Sequence, residues 1–121
     1  MIRIELPWPD AKLSPNAKRR SHWTKYHKTI ASARKDAFFA TVAALGPDRK
    51  AELVNGFLPM QIAFYPPDRR RRDDDGIIGS FKHARDGIAD ALGIDDRLFR
   101  PRYHIMPPEK PGKVIIEIGH D

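Results

Sequence analysis

Residues 60–93 read MQIAFYPPDRRRRDDDGIIGSFKHARDGIADALG, and the fold is decided there. Ile62 and Phe64 alternate with Ala63 and Tyr65, the two-residue period of a strand over Met60 to Tyr65, which Pro66-Pro67 closes. Apolar residues then return at Ile77, Ile78, Phe81, Ala84, Ile88 and Ala91. That spacing predicts a helix running toward Leu92, with Gly93 as its C-terminal cap. Between strand and helix, Arg69, Arg70, Arg71 and Arg72 abut Asp73, Asp74 and Asp75. A core has no use for such a run.

Outward from this unit, Ile2, Ile4 and Leu6 alternate with Arg3 and Glu5 as a first strand, ended by Pro7 and Pro9. A long helix is predicted from Ser21 to Leu45 on Trp23, Tyr26, Ile30, Ala33, Ala37, Phe38, Thr41, Val42 and Leu45. Gly46-Pro47 stops it, and Lys25, Lys28, Arg34 and Lys35 mark its outward face. Arg102 to Met106 and Lys113 to Ile118 read as two strands joined across residues 107–112. The order β-α-β-α-β-β predicts an α+β fold in which a small mixed sheet packs with two helices. At 121 residues the chain is expected to form one domain over 1–121.

Composition points to a polyanionic partner. The 22 Lys+Arg against 16 Asp+Glu give +6, and the excess gathers at Arg69–Arg72 and in the first third, including Lys18, Arg19 and Arg20. Nucleic acid is therefore the expected partner. There are no cysteines, which removes disulfides, thiolate zinc sites and cysteine nucleophiles. No apolar run approaches the ~20 residues of a membrane span, and no signal-peptide pattern precedes Pro7. No membrane association is expected, and the cytoplasm is the expected location.

The charge run allows two readings. Arginines dock phosphates, and Asp73 and Asp75 converge on a hard cation such as Mg²⁺ if the backbone there is extended, since residues i and i+2 share a strand face. The plainer reading has Arg72 and Asp73 neutralising each other on a solvated loop. Asp75 is then the helix N-cap, and the acids serve the helix dipole. Lys82 follows Asp75 by seven residues, two turns down the same face of a regular helix, and leans back toward a bound phosphate. A pairing with Asp86 is its ordinary alternative. Asp95-Asp96 is an ordinary turn by itself; with Asp73 and Asp75 it completes a three-carboxylate set. The histidines show no zinc spacing, and the glycines form no phosphate-binding loop.

These motifs together resemble the RusA family of Holliday junction resolvases. The resemblance is carried by Leu6-Pro7-Trp8-Pro9, Ser14-Pro15-Asn16, His22-Trp23, Pro67 through Asp75, Lys82-x-x-x-Asp86, Asp90-Ala91-Leu92-Gly93 and Asp95-Asp96, in that order. It implies a homodimeric endonuclease, bacterial or phage- or prophage-encoded, that uses Mg²⁺, with Mn²⁺ able to substitute, to cut branched four-way DNA in recombination and repair. It also implies that Asp73, Asp75 and Asp96 are catalytic, metal-binding aspartates and Lys82 a catalytic lysine. Arg69 to Arg72 fall in its DNA-contacting stretch. Two departures stand out: Gly76 replaces the asparagine that usually follows Asp-x-Asp, and Lys82 lies three residues later than in one form of the signature.

The reading is a Mg²⁺-dependent, structure-selective endonuclease. Its alternatives are a non-catalytic nucleic-acid-binding protein whose acidic cluster caps a helix, and a cation-dependent enzyme acting on nucleotides. If the second helix runs unbroken from Gly76 to Leu92, its ends are roughly 25 Å apart at ~1.5 Å per residue. Asp96 then rejoins Asp73 and Asp75 only if residues 76–80 fold back as a loop, or if a second copy supplies it.

Overall fold

The computed structural model describes residues 1–14, 23–47 and 50–119; the side chains of residues 23–25 are not described. Strand β1 (Ile2–Pro7) buries every second residue, as its alternation requires. A 3-10 turn (Ala11–Leu13) and helix α1 (Trp23–Leu45) follow. Next come β2 (Leu58–Tyr65), α2 (Asp74–Ser80) and α3 (Lys82–Leu92). A second 3-10 turn (Asp96–Leu98) leads into β3 (Phe99–Ile105), and β4 (Lys113–Ile118) is last. The fold is the expected small α+β arrangement, a four-stranded mixed sheet packed with helices.

The strands lie in the order β1-β4-β2-β3. β4 runs antiparallel to both neighbours, while β2 and β3 are parallel, with Leu58 opposite Phe99 and Phe64 opposite Ile105. Parallel neighbours need a crossover, and α2 and α3 supply it. β3 and β4 are consecutive in sequence but not adjacent, so the segment between them makes no hairpin. Composition explains the order. Val114, Ile115, Ile116 and Ile118 are all buried, which requires neighbours on both sides of β4. β3 contains Pro101 and alternates with exposed arginines, features that sheets tolerate at an edge. The proline also made the strand look shorter in the sequence. It begins at Phe99, not Arg102, because buried Phe99 anchors it.

All helices pack on one face of the sheet. Ala37, Thr41 and Leu45 of α1 are buried, and the Thr41 hydroxyl donates to the Ala37 carbonyl at 2.7 Å, so its burial leaves no donor unpaired. The apolar stripe of α1 is narrower than its sequence suggests. Val42, expected in the stripe, is 45% exposed. Small residues set the contact instead: Gly87 of α3 lies against the Arg34 carbonyl and the Ala37 methyl, and a side chain there would strike the α1 backbone.

The second predicted helix is two helices. The chain breaks at Phe81, whose φ of −84° and ψ of −11° end α2 and start α3. Its N–H closes a tight turn on the Ile78 carbonyl at 3.1 Å. The ring is 1% exposed and meets Phe64 edge-on at 5.7 Å. Anchoring that ring in the core draws the backbone out of regular helical register. Neither an unbroken helix nor a folded-back loop over residues 76–80 describes this segment.

Gly87→Ala is expected to destabilise the protein by about 1–3 kcal/mol, because overpacking at a backbone contact outweighs the gain in helix propensity. Gly76→Ala, where an added methyl would meet nothing closer than the Ser14 hydroxyl at 3.9 Å, should be neutral or mildly stabilising. Urea unfolding of both variants checks the contrast.

Candidate phosphate and cation site

The loop after β2 is held by its own charges. Asp68 accepts the Arg70 N–H at 2.9 Å, forming a local turn. Its carboxylate also pairs with the Arg72 guanidinium at 2.9 Å. Arg72 further donates to the carbonyls of Asp68 and Arg70 at 3.3 and 3.1 Å, and lies over the Trp8 ring at 5.5 Å. The Arg70 N–H and then Arg72 hold the Asp68 carboxyl below its ordinary range. Arg72 is thus a tether, and its acidic partner is Asp68, not Asp73 as a solvated-loop reading of the sequence has it. Arg69, Arg70 and Arg71 remain exposed, with no ion pair to their guanidinium groups among the described residues.

The acidic half of the run opens α2. Asp73, not Asp75, is the N-cap residue; its backbone is extended at φ −80° and ψ 138°, and its side chain makes no capping hydrogen bond. Asp74 and Asp75 occupy the first turn, a favourable place for carboxylates near the helix dipole. Buried Ile77, whose N–H bonds the Asp73 carbonyl at 3.1 Å, fixes this early start. Asp73 and Asp75 therefore do not share a strand face. All three carboxylates are on exposed residues, without an ion-pair partner among the described residues. Asp73 lines a groove with Arg70, Arg72 and Asp68, which Trp8 and Asp10 also line.

Lys82 opens α3 and is exposed. The break at Phe81 removes the regular two-turn relation to Asp75 that an unbroken helix would provide. No ion pair joins Lys82 to Asp86 among the described residues.

The far end of α3 holds a separate charged cluster. Arg34 of α1 grips Asp90 with two hydrogen bonds, Nε to Oδ2 at 2.6 Å and Nη2 to Oδ1 at 2.9 Å. The pair raises the Arg34 pKa and lowers that of Asp90. Arg34 is therefore not the free outward cation that its helical position suggested. Asp95 accepts the Arg97 N–H at 3.0 Å and caps the 3-10 turn. Asp96 faces Arg85: the guanidinium donates to its carbonyl at 3.0 Å and to the Tyr103 hydroxyl at 3.3 Å, and Nε lies 3.4 Å from its carboxylate. That Nε is buried and its geometry toward Asp96 falls short of a hydrogen bond. Arg85 went unnoticed in the sequence because nothing in its spacing sets it apart from a surface helix residue.

Two grooves divide some of the sequence-derived site residues, and Asp75, Lys82, Arg69 and Arg71 line neither. Asp73 and Arg70 share one groove; Asp95 and Asp96 line another with Arg34, Asp86 and Asp90, and no residue lines both. Among the described residues, no group of three acidic or histidine side chains is placed to hold a metal ion. Asp73, Asp75 and Asp96 are not gathered within one chain. Lys18, Arg19 and Arg20 lie outside the described residues.

The Asp68 tether carries a pH signature. Its folded-state carboxyl titrates below its ordinary range, so its contribution to stability is complete above that range and is lost as pH falls through the lowered value. Asp68→Asn keeps the oxygen that accepts the Arg70 N–H but loses the charge. It should melt below wild type at pH 7, with the gap closing on acidification, as thermal unfolding across pH will show.

No family model matches the chain. It is 48% identical over 101 residues to an uncharacterized protein of Xylella fastidiosa (strain Temecula1 / ATCC 700964). The match covers 82% of this chain and 63% of that protein, so the chain spans less than two thirds of its relative's length.

Proposed function

We propose that this chain is a divalent-cation-dependent endonuclease that cuts branched, four-way DNA, of the RusA type, acting as a homodimer. The observation that carries the reading is the groove at the head of α2. Asp73 occupies an N-cap position there without spending its carboxylate on the cap, beside Arg70 and Arg72. A phosphodiester needs cations to hold its oxygens, and a hydrolytic cation needs hard oxygen ligands; this loop carries both within a few residues.

Asp73 and Asp75 are the residues that would hold the cation. Two unpaired, exposed carboxylates suit Mg²⁺, which keeps much of its water shell and takes few protein ligands. When bound, it supplies Lewis acidity that activates water and offsets charge on the leaving oxygen. Arg69, Arg70 and Arg71 grip phosphates along the backbone without reading bases. Arg72 keeps the loop in place through Asp68. Lys82, at the start of α3, adds positive charge to offset the reacting phosphate.

Asp96 belongs to this site only if a second copy delivers it. Its carboxylate lines the groove at the other end of α3, a helix of 11 residues and so ~16 Å long. Two copies packed about a dyad with their α3 helices antiparallel would bring Asp96 of each to Asp73 and Asp75 of the other. Two such sites suit a substrate with two strands to cut.

The second reading, a nucleic-acid-binding protein without catalysis, draws on the same helix start. Asp73, Asp74 and Asp75 stand where a helix favours acids, and that alone could justify them. Incubating the purified chain with labelled four-way junction, linear duplex and nucleotide, with and without Mg²⁺, separates the readings. Mg²⁺-dependent nicking of the junction supports the endonuclease; tight binding without nicking supports the alternative.

Asp75→Asn should lower junction cleavage by at least about 100-fold, while binding is kept or tightened, because the amide retains the size but loses the ligand charge and the repulsion of DNA. Asp74→Asn should cut normally. Mixing Asp75→Asn with Asp96→Asn, each inactive alone, should restore one intact site per heterodimer and nick the junction; a dead mixture of DNA-binding proteins would assign the site to one chain.

A further inference from the structure

We infer that the outward face of β3 is a second phosphate-binding track, along which an arm of the same DNA lies; this rests on the proposed DNA-cleaving function. The helices cover one face of the sheet, and the other is open. On β3 that open face presents Arg100, Arg102 and His104 in succession, all exposed. They stand about 6.6 Å apart at ~3.3 Å per residue, a spacing that a nucleic-acid backbone can follow with one contact per phosphate.

The charge on this face is unevenly balanced. At the β1 edge, Arg3 lies 3.8 Å from Glu5, and Lys113 of β4 pairs with Glu109 at 2.8 Å. Across the β3 half, Arg102 has Gln61 beside it in register, and the next acid in that row, Glu117, is a further strand away, about 9.6 Å at ~4.8 Å per strand. Arg102 has no ion-pair partner among the described residues. His104 pairs with the uncharged Gln61 side chain at 2.7 Å.

The track is also held rigid. Arg100 stacks over the Phe57 ring at 3.8 Å and donates to the carbonyls of Arg97 and Phe99 at 3.0 and 2.8 Å. Its guanidinium is fixed in place with its charge unneutralised. Phe57, 39% exposed and packed under no helix, gains its purpose as the platform for that cation. The strand starts directly after the turn bearing Asp96, so a DNA strand that reaches Asp96 continues along β3 with no gap in the chain between them.

Salt titrations of binding to a four-way junction test the track. Arg100→Gln/Arg102→Gln should lower the log–log salt slope by about 1.8, at ~0.9 per lost phosphate contact, and Arg102→Gln alone by about 0.9. The single variant, whose side chain braces nothing, decides the matter if the double variant unfolds in a thermal melt. Arg3→Gln, on the same sheet face but beside Glu5, should leave the slope unchanged. Arms shortened to a few base pairs should erase the effect of Arg102→Gln. An unchanged slope for the β3 variants, beside a weakened Arg69→Gln/Arg70→Gln/Arg71→Gln protein, overturns the track and leaves the cleavage site standing. Equal losses from Arg3→Gln and Arg102→Gln overturn it as well, since charge anywhere on the face would then suffice. Failure of the wild type to bind junction or duplex overturns both this inference and the function it rests on.

Discussion

The ring of Phe64 sits at the centre of an aromatic cluster from which the charged loops are held. It is fully buried on β2 and touches three other rings: Trp8 at 6.3 Å, Phe81 at 5.7 Å and Tyr103 at 6.2 Å. Each of these leads to a charged group. Trp8 lies under Arg72, which fixes the arginine loop through Asp68. Phe81 interrupts the helix and so decides that α3 starts at Lys82. Tyr103 accepts from Arg85, which holds the turn containing Asp96. Exposed ion pairs alone contribute at most about 1 kcal/mol each, whereas truncating a buried phenylalanine costs about 3–5 kcal/mol. The apolar cluster carries the energy, and the charged residues inherit their positions from it.

The arginines divide accordingly. Arg34, Arg72 and Arg85 are committed inside the protein, to Asp90, Asp68 and Asp96. Arg69, Arg70, Arg71 and Arg102 are exposed and make no ion pair among the described residues. These arginines therefore concentrate positive charge at the α2 loop and along β3, while Lys12, Lys28, Lys35, Lys50 and Lys82 add exposed charge elsewhere.

Element type and order were legible in the sequence because period and punctuation agreed. Ile2, Ile4 and Leu6 could form only one kind of strand, and Gly46-Pro47 could only stop a helix. Sheet order was not legible, because it depends on which strand is apolar on both faces; Val114-Ile115-Ile116 carries that signal, but hairpin-like proximity to β3 masks it. The break at Phe81 was hidden for a related reason. Its spacing is perfectly helical, and the ring's partner Phe64 lies 17 residues away in sequence on another element. In the candidate site, the residue types were legible and the pairings were not. Nothing local says that Arg72 turns back to Asp68 when Asp73 is its neighbour, or that Arg34 crosses to Asp90. The sequence argued for a separation of Asp96 from Asp73 and Asp75 on the premise of an unbroken helix; the helix breaks at Phe81, and Asp73 and Asp96 nonetheless line different grooves.

The head of α2, proposed as a cation site serving phosphodiester cleavage, is open to a crystallographic test. Anomalous diffraction from crystals grown with Mn²⁺ and a four-way junction locates any bound cation. The expected result is a manganese peak bonded to the carboxylates of Asp73 and Asp75 and to a DNA phosphate oxygen, with Asp96 of a second copy completing the set. A junction bound along the arginine loop with no manganese at those two aspartates would contradict it.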